Sequence, residues 1–555
     1  PLTGSLRSER IAKLRAVDNR GIAERLDAFA MLLELSEANP YTIRAYRRAA
    51  ETVRGAALPV AELVAAGRVR ELRGIGSGIE SRLRELVDTG EIAELAELER
   101  ELSPELVGLG RYLGLSAQRS IQIARALDIR TAAELREAAA EGRLRDVPGI
   151  GEKTEARLLH ALAREGEPES APSRGLLLNR AWELVWAIAQ ALGGEVAGDV
   201  RRWRDECHDL AVVCAAPDPA PVLTAFAQLP QIVAVIGQDD RQALGVTVDG
   251  VAVRVMVTPA RAFGTALARA TGTAAYVAAL EPLPDAADEE ALYAAVGVPW
   301  CPPELREAPF DGEPPALLKL GQIRGDLHSH TTWSDGRQTV EEMGRAARDR
   351  GYEYLAICDH TPAVGAVQGL SADDVRRQGE EIAAANEVLA PFRVLRGIEC
   401  DILGDGRLDL PDAVLADLDW VQASVHGGQR MPEREMTRRV LEALRNPYVR
   451  CLSHPTGRYI NRRPENALDL EQVYATAVEH GVAVEVNGLP LRLDLSAEHA
   501  RDAIRAGVTL VCSTDAHSTV GLANMTYSVA TARRGWATAA DVLNTRPLAE
   551  ILRRR

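Results

Sequence analysis

The chain has 555 residues and a formal net charge of −15, length for about three or four domains at roughly one per 150 residues. The acidic balance excludes a uniformly basic nucleic-acid binder and confines any DNA contact to local patches. No window reaches the roughly 18 to 20 uninterrupted apolar residues of a membrane helix, the start PLTGSLRSERIAKLRAV is charged, and the seven cysteines show no CxxC pair or regular spacing; a soluble, unexported protein of the reducing cytoplasm is expected, with no membrane partner.

Residues 8–165 carry apolar residues at three- and four-residue spacing with few β-branched runs, which predicts an all-helical region. NPYTIRAYRRAAETV, 39–53, places Arg44, Arg47 and Arg48 on one helix, where they can meet phosphate. LRGIGSGIESRL, 72–83, with Gly74 and Gly76, and VPGIGEKTEARLL, 147–159, with Gly149, Gly151 and Lys153, share a hydrophobic, Gly-Ile-Gly, helix pattern. The glycines permit a tight turn that aims helix N-terminal amides at a DNA phosphate without reading sequence. Between them, RYLGLSAQRSIQIARAL has the same outline without paired glycines and reads as a decayed third copy. REGEPESAPSRG, 164–175, predicts a linker.

From 176 to about 270, the helix LLLNRAWELVWAIAQAL precedes the strand-like runs HDLAVVC, IVAVIG, ALGVTVDG and VAVRVMV, an α+β module. Residues 282–322, with proline clusters around a short helix, read as a connector. From 323 onward the runs IRGDLH, YLAICDH, RVLRGIE, WVQASVH, VRCLSH, VAVEVN and LVCSTD alternate with amphipathic helices. Parallel βα units of this number tend to close into a barrel, with the active site on the face where the strands end.

Those ends hold His328, His330, Asp335, His360, Glu399, His426, His454, Asp515 and His517, with six of the chain's ten histidines. In HSH the strand pleat sends His328 and His330 to the same side, within reach of one ion. Mixed imidazole and carboxylate ligands suit Mn, Zn or Fe, and the absence of thiolates argues against a closed structural zinc site. Nine ligands exceed one ion. Two or three close divalent ions would activate water and neutralise charge on a phosphoryl oxygen, so phosphoester hydrolysis is the expected reaction. Cys358, Cys400, Cys451 and Cys512, on the same strands, read as core fillers.

The motifs DLHSHTTWSDG, ICDH, GIECDIL, ASVHGG, LSHPTGR and STDAH resemble those of PHP-domain phosphoesterases, whose fold is a distorted (β/α)7 barrel. The resemblance implies that His328, His330, Glu399 and Asp515 hold one ion, that Glu399 bridges to a second held by His426 and His454, and that Asp335, His360 and His517 hold a third. Arg458, with Arg462 or Arg463, can grip a substrate phosphate. The Gly-Ile-Gly stretches resemble helix-hairpin-helix DNA-binding motifs. With 39–53 they resemble the N-terminal domain of family X DNA polymerases, of the bacterial type with a C-terminal PHP domain, and the likeness then runs nearly the whole chain. It implies a helical DNA-binding domain at 1–165, a nucleotidyltransferase-like palm at 173–270, a shortened thumb remnant and linker at 271–321, and a PHP domain at 322–555. Arg82 stands where family members with lyase activity carry a Schiff-base lysine, and a guanidinium cannot serve as that nucleophile.

AGDVRRWRDECHDLAVV aligns with the palm segment in which a Gly-Ser turn precedes an Asp-x-Asp strand. Asp209 fits the first acid, Ala211 replaces the second, Arg254 replaces the third, and Asp199 replaces the serine, where it would face a triphosphate with the wrong charge. Two-metal phosphoryl transfer needs carboxylates, and an arginine repels the cations, so the palm is expected to be degenerate. The expected function is a metal-dependent DNA end-processing phosphoesterase in repair: a 3′-5′ exonuclease, 3′-phosphatase or abasic-site endonuclease on gapped, nicked or 3′-recessed DNA. Competing readings are a small-molecule phosphatase of the histidinol-phosphatase type, a non-catalytic DNA-binding repair scaffold, and a residual gap-filling polymerase.

Overall fold

The computed structural model describes residues 19–553 apart from 36–37, 55, 57–58, 73, 164–174, 311 and 366. The charged N-terminal stretch and all of the expected linker but Gly175 lie outside the described residues. Two compact units divide the chain, Pro1–Ser170 with Leu223–Val253 and Ala171–Val222 with Arg254–Arg555. No helix among the described residues is long and apolar enough to cross a membrane.

In the first unit, the side chain of Asn39 accepts from the Tyr41 amide and starts the helix Pro40–Arg54. That helix buries Ile43, Tyr46, Ala49, Ala50 and Val53, with Tyr46 edge-on to Phe29 of the helix Asn19–Leu35. Its opposite face leaves Arg44, Arg47 and Arg48 exposed. The two Gly-Ile-Gly stretches adopt the same turn. Ile75 donates to the Leu72 carbonyl and Ile150 to the Val147 carbonyl, while Gly74 (φ +90°) and Gly149 (φ +80°) take the left-handed conformation that the turn requires. The helices Ser77–Thr89 and Glu152–Ala163 follow, and a Cβ added at Gly74, Gly76 or Gly151 would meet only open space.

The stretch expected to be a decayed third copy acts as a strut. It forms the helices Pro104–Tyr112 and Ala117–Leu127, and Arg119 donates to the Pro148 carbonyl at 2.8 Å and the Gly149 carbonyl at 2.6 Å, fixing the second turn. Residues 223–253, inside the expected palm, pack with these helices. Gly108 comes so close to the strand hairpin Ala234–Gln238/Gln242–Val246 that a Cβ would lie 2.6 Å from the Thr247 carbonyl oxygen, and Arg136 donates to the Ile236 carbonyl.

The second unit begins with the helix Leu178–Leu192 and the strands Glu195–Ala197 and Leu210–Ala215, paired antiparallel. The strand Leu210–Ala215 pairs in parallel with Ala252–Thr258, Ala211 opposite Arg254. The helix Phe263–Thr271 covers Ala211 and Val213 with Leu267 and Phe263.

Seven parallel strands follow in sequence order: β1 (Gly325–Ser329), β2 (Tyr354–Ile357), β3 (Arg393–Asp401), β4 (Trp420–Ser424), β5 (Cys451–Leu452), β6 (Ala483–Asn487) and β7 (Leu510–Ser513). A bridge between Ser329 and Ala516 nearly closes the barrel. Helices cover the outside, which is why these strands read as continuous apolar runs. All seven cysteines are buried and free, among them Cys358, Cys400, Cys451 and Cys512, the four expected core fillers.

Candidate metal centre

The C-terminal ends of the strands bring all nine predicted ligands into one cluster. Glu399, at the end of β3 and 1% exposed, is its centre. Its Oε2 lies 3.5 Å from His328 Nε2, 3.7 Å from His330 Nε2 and 3.0 Å from His360 Nδ1; its Oε1 lies 2.7 Å from His454 Nε2 and 3.4 Å from His426 Nε2. One carboxylate thus faces two imidazole groups with separate oxygens, the geometry of a bridging ligand. Asp515 Oδ1 lies 3.1 Å from His330 Nε2, and Asp335 Oδ2 lies 3.2 Å from His517 Nε2. His454 (φ +25°) and Asp515 (φ +52°) hold left-handed conformations that non-glycine residues rarely adopt, as befits strand ends built for a site.

The donor set fits divalent cations. His330 with Asp335, His360 and His517, His328 with His330 and Asp515, and His360 with Glu399 and His426 each offer ligand atoms within 4.8 Å of one another. His330 and His360 each belong to two of these groups, whereas the family motifs imply one ion for each of these two histidines. Three imidazoles are oriented through Nδ1: His328 by Glu485 at 2.7 Å, His426 by Asp401 at 3.2 Å, and His517 by the Asp515 carbonyl at 2.9 Å. A donating Nδ1–H leaves the Nε2 lone pair free for a metal. His330 and His454 bury an Nδ1 that has no hydrogen-bond partner.

Burial would raise the Glu399 carboxyl, but His426, His360 and His328 hold it well below the usual carboxylate range. Asp515 is held low against the same burial, chiefly by His328 and His330. Burial, with His517 and His360 nearby, pushes the His330 imidazole down to about 3 and keeps it neutral. Against burial, Glu485 and Asp515 hold the His328 imidazole up, and Asp335 and Asp515 push His517 up to about 9, so charged carboxylates stand beside both neutral and cationic imidazoles.

Sequence reading missed the residues behind this set. Glu485, fully buried on β6, also accepts from the Ser453 hydroxyl, the His454 amide and the Asn487 side chain. Although burial opposes it, chiefly His328 holds Glu485 down to about 2. Gln422, on β4, donates to Glu485 and to the Ser453 hydroxyl, and Asp359 accepts from Thr331, Ser334 and Gln378. The available signal was an acid or amide inside a buried apolar strand, which is costly unless it is partnered.

The arginines are placed differently from one another. Arg458 pairs with Asp205 at 2.9 Å and donates to two backbone carbonyls, Arg463 stacks on Tyr459 and donates to the Gly457 carbonyl, and Arg462 is exposed. Arg492, unremarked in the sequence, lies nearest: it is 7% exposed, its Nε is 3.7 Å from Asp515 Oδ2, and that Nε has no hydrogen-bond partner.

In the segment expected to be a palm, the Arg254 guanidinium lies 2.7 Å from Asp209 Oδ1, so a tethered cation sits on the acid expected to be the first of the set. Ala211 is fully buried under Leu267. The expectation that Asp199 faces a triphosphate is corrected: it is 5% exposed, pairs with Arg202, and accepts from the His208 and Asp209 amides at 2.7 and 2.8 Å. Gly198 (φ +68°) makes this possible, because a Cβ would strike the Asp209 carbonyl. Arg82 is held by Glu85 at 3.1 Å and by Glu94. Lys153 is exposed beside the second hairpin turn.

A helix-hairpin-helix domain model matches residues 17–92 and a PHP domain model matches residues 326–488. Over 564 aligned residues, the chain is 34% identical to the DNA polymerase/3′-5′ exonuclease PolX of Bacillus subtilis (strain 168), covering 96% of this chain and 98% of that protein. It is also 35% identical over 202 residues to a probable phosphatase of Acetivibrio thermocellus, 35% of this chain and 78% of that protein. A probable phosphatase of Thermoanaerobacter sp. (strain X514) is 27% identical over 232 residues, 40% of this chain and 89% of that protein.

Proposed function

From the premise that this chain belongs to the PolX family of DNA polymerase/3′-5′ exonucleases and carries its metal-dependent PHP hydrolase domain, we propose that it trims or dephosphorylates DNA 3′ ends and no longer synthesises DNA. One contrast carries the reading: Glu399 presents its two oxygens to two imidazole groups in the barrel, whereas Asp209 in the palm is neutralised by Arg254. The work is cytoplasmic DNA repair at gapped, nicked or 3′-recessed ends.

His328, His330, Asp335, His360, Glu399, His426, His454, Asp515 and His517 hold two or three ions, with Mn²⁺ or Zn²⁺ suited to the mixed donors. When bound, such ions lower the pKa of water and offset charge on the phosphoryl oxygens. Glu485, itself held by Gln422, and Asp401 fix the imidazoles so that no reorganisation is needed during reaction. Arg492 offers its unpartnered Nε–H to a phosphate oxygen. Gly74, Gly76, Gly149 and Gly151 shape the turns that hold the DNA backbone, with Arg44, Arg47, Arg48 and Lys153 adding charge.

The test incubates the protein with Mn²⁺, labelled 3′-recessed or gapped DNA and deoxynucleotides, beside His328→Ala/His330→Ala. Shortening of the DNA that falls by at least about 10²-fold in the double variant is expected. Primer extension would overturn the reading of the palm. Unchanged DNA with phosphate released from histidinol phosphate would assign a small-molecule phosphatase, and DNA retention without turnover would leave a scaffold.

A further inference from the structure

Within the second unit, the palm segment reaches the barrel's strand-end loops. Trp203 (φ +59°) stacks on Trp182 at 4.6 Å and meets Tyr527 edge-on at 6.3 Å. Two residues on, Asp205 lies 2.9 Å from the Arg458 guanidinium and 3.8 Å from that of Arg534. Arg458 sits on the loop after β5, four residues beyond His454. It donates from Nε to the Arg492 carbonyl at 2.8 Å and from Nη2 to the Leu493 carbonyl at 2.5 Å. Those carbonyls belong to the loop after β6 that presents Arg492 to the ligand cluster. A second tie holds the same β5 loop, as Asn461 Nδ2 donates to the Gly175 carbonyl at 2.9 Å.

Arg458 is thus divided between a palm carboxylate and two barrel carbonyls. Nη2 faces both Asp205 Oδ2 and the Leu493 carbonyl, so the carboxylate and the two carbonyls hold one planar guanidinium fork together. Its side chain is 13% exposed and that of Asp205 18%. Removing Asp205 leaves a largely buried cation without its carboxylate at Nη2, and its hold on the two carbonyls loosens. The backbone at 492–493 then loses its anchor, and Arg492 loses its aim.

We propose that Asp205, in the palm, is a positioning residue for the barrel's phosphoesterase site, acting through Arg458 on the loop that presents Arg492 to the substrate phosphate. The proposal rests on the phosphoesterase reading above. It gives a palm that has lost its own metal acids a part in the reaction performed elsewhere in the same unit.

The test uses the full chain with Mn²⁺, bis(p-nitrophenyl) phosphate and labelled 3′-recessed DNA as substrates, and inorganic phosphate as inhibitor. Asp205→Asn is expected to lower kcat/KM about tenfold and raise the phosphate inhibition constant by a similar factor, with Mn²⁺ affinity unchanged in a calorimetric titration. Asp205→Glu recovers most of the loss because it restores the charge. Arg458→Lys reproduces the loss, since it keeps the charge but not the fork, and decides the matter should Asp205→Asn fail to fold. Asp209→Ala, in the same palm but outside the relay, matches wild type. Wild-type kcat/KM and phosphate inhibition in Asp205→Asn, or losses equal to its unfolded fraction with inhibition unmoved, would overturn the proposal. A wild-type chain that hydrolyses the ester but not DNA counts against end-processing alone, and the ratio on the ester still decides the relay.

Discussion

The palm and the barrel each set carboxylates at strand ends beside positive charge, but the charge has different sources. In the palm it is covalently attached: Arg254 lies opposite Ala211 in the strand register and pairs with Asp209, while Asp199 is spent on Arg202 and two backbone amides. In the barrel, the charge comes from imidazoles that converge on Glu399 and Asp515 and are oriented from behind by Glu485, Asp401 and a backbone carbonyl. Acids balanced by the protein's own guanidinium gain little from a metal, whereas acids that converge with imidazoles on one point gain more, because a cation there repays part of their desolvation. The difference lies less in how many acids survive than in what faces them.

The sharpest way to break this contrast is to disturb the barrel without touching a ligand. Glu485→Gln keeps the shape but removes the charge behind His328 and an acceptor for Ser453 and His454. It should lower kcat/KM on DNA about a hundredfold, equivalent to about 3 kcal/mol of transition-state stabilisation, and weaken Mn²⁺ binding in calorimetry. Wild-type values would mean that orientation from the second layer is unimportant here. Next in size is Ala211→Asp. Because Ala211 is fully buried against Leu267 and Phe263, an acid there should cost roughly 2 kcal/mol of stability, read as a lowered denaturation midpoint. Unchanged stability would show that the palm site is still open to water.

Much of this was legible in the sequence, for physical reasons that differ by region. The seven barrel strands stood out because parallel strands buried on both faces are apolar along their length and end abruptly at polar ligands. The helical front end was equally plain from its periodicity, and Gly74 and Gly149 from the turn only glycine makes cheaply. What stayed hidden depends on distant pairing. Glu485 looked like an isolated acid in VAVEVN until β6 was placed beside β5 and across from His328. Arg492 follows a run of loop residues with no motif, and its proximity to Asp515 is made by the fold. Asp199 read as a surface charge facing a ligand, whereas its carboxylate turns inward because two amides and Arg202 are there to receive it. Arg119, within a stretch that had lost its glycines, gave no sign that it braces the turn of a different copy thirty residues on.

The smallest effect is expected at Arg254 itself. Its pair with Asp209 is nearly half exposed, 41% and 42% for the two side chains, so solvent screens it and its loss should change stability by less than about 1 kcal/mol. Arg254→Ala uncovers Asp209 but adds no ligand, and one carboxylate cannot hold the two cations of a polymerase site. Hydrolysis of DNA ends should therefore stay within about twofold of wild type, since Arg254 has no part in the chain of contacts from Asp205 to Arg492, and primer extension should stay undetectable with Mg²⁺ or Mn²⁺. Adding Ala211→Asp and Arg254→Asp together should also fail to restore synthesis, because the new acid at 211 must open the packing beneath Leu267 while Asp199 remains bound to the amides of His208 and Asp209. Nucleotide incorporation by Arg254→Ala would mean that the guanidinium alone blocks synthesis, and incorporation by the double variant that the closed packing around Ala211 does not.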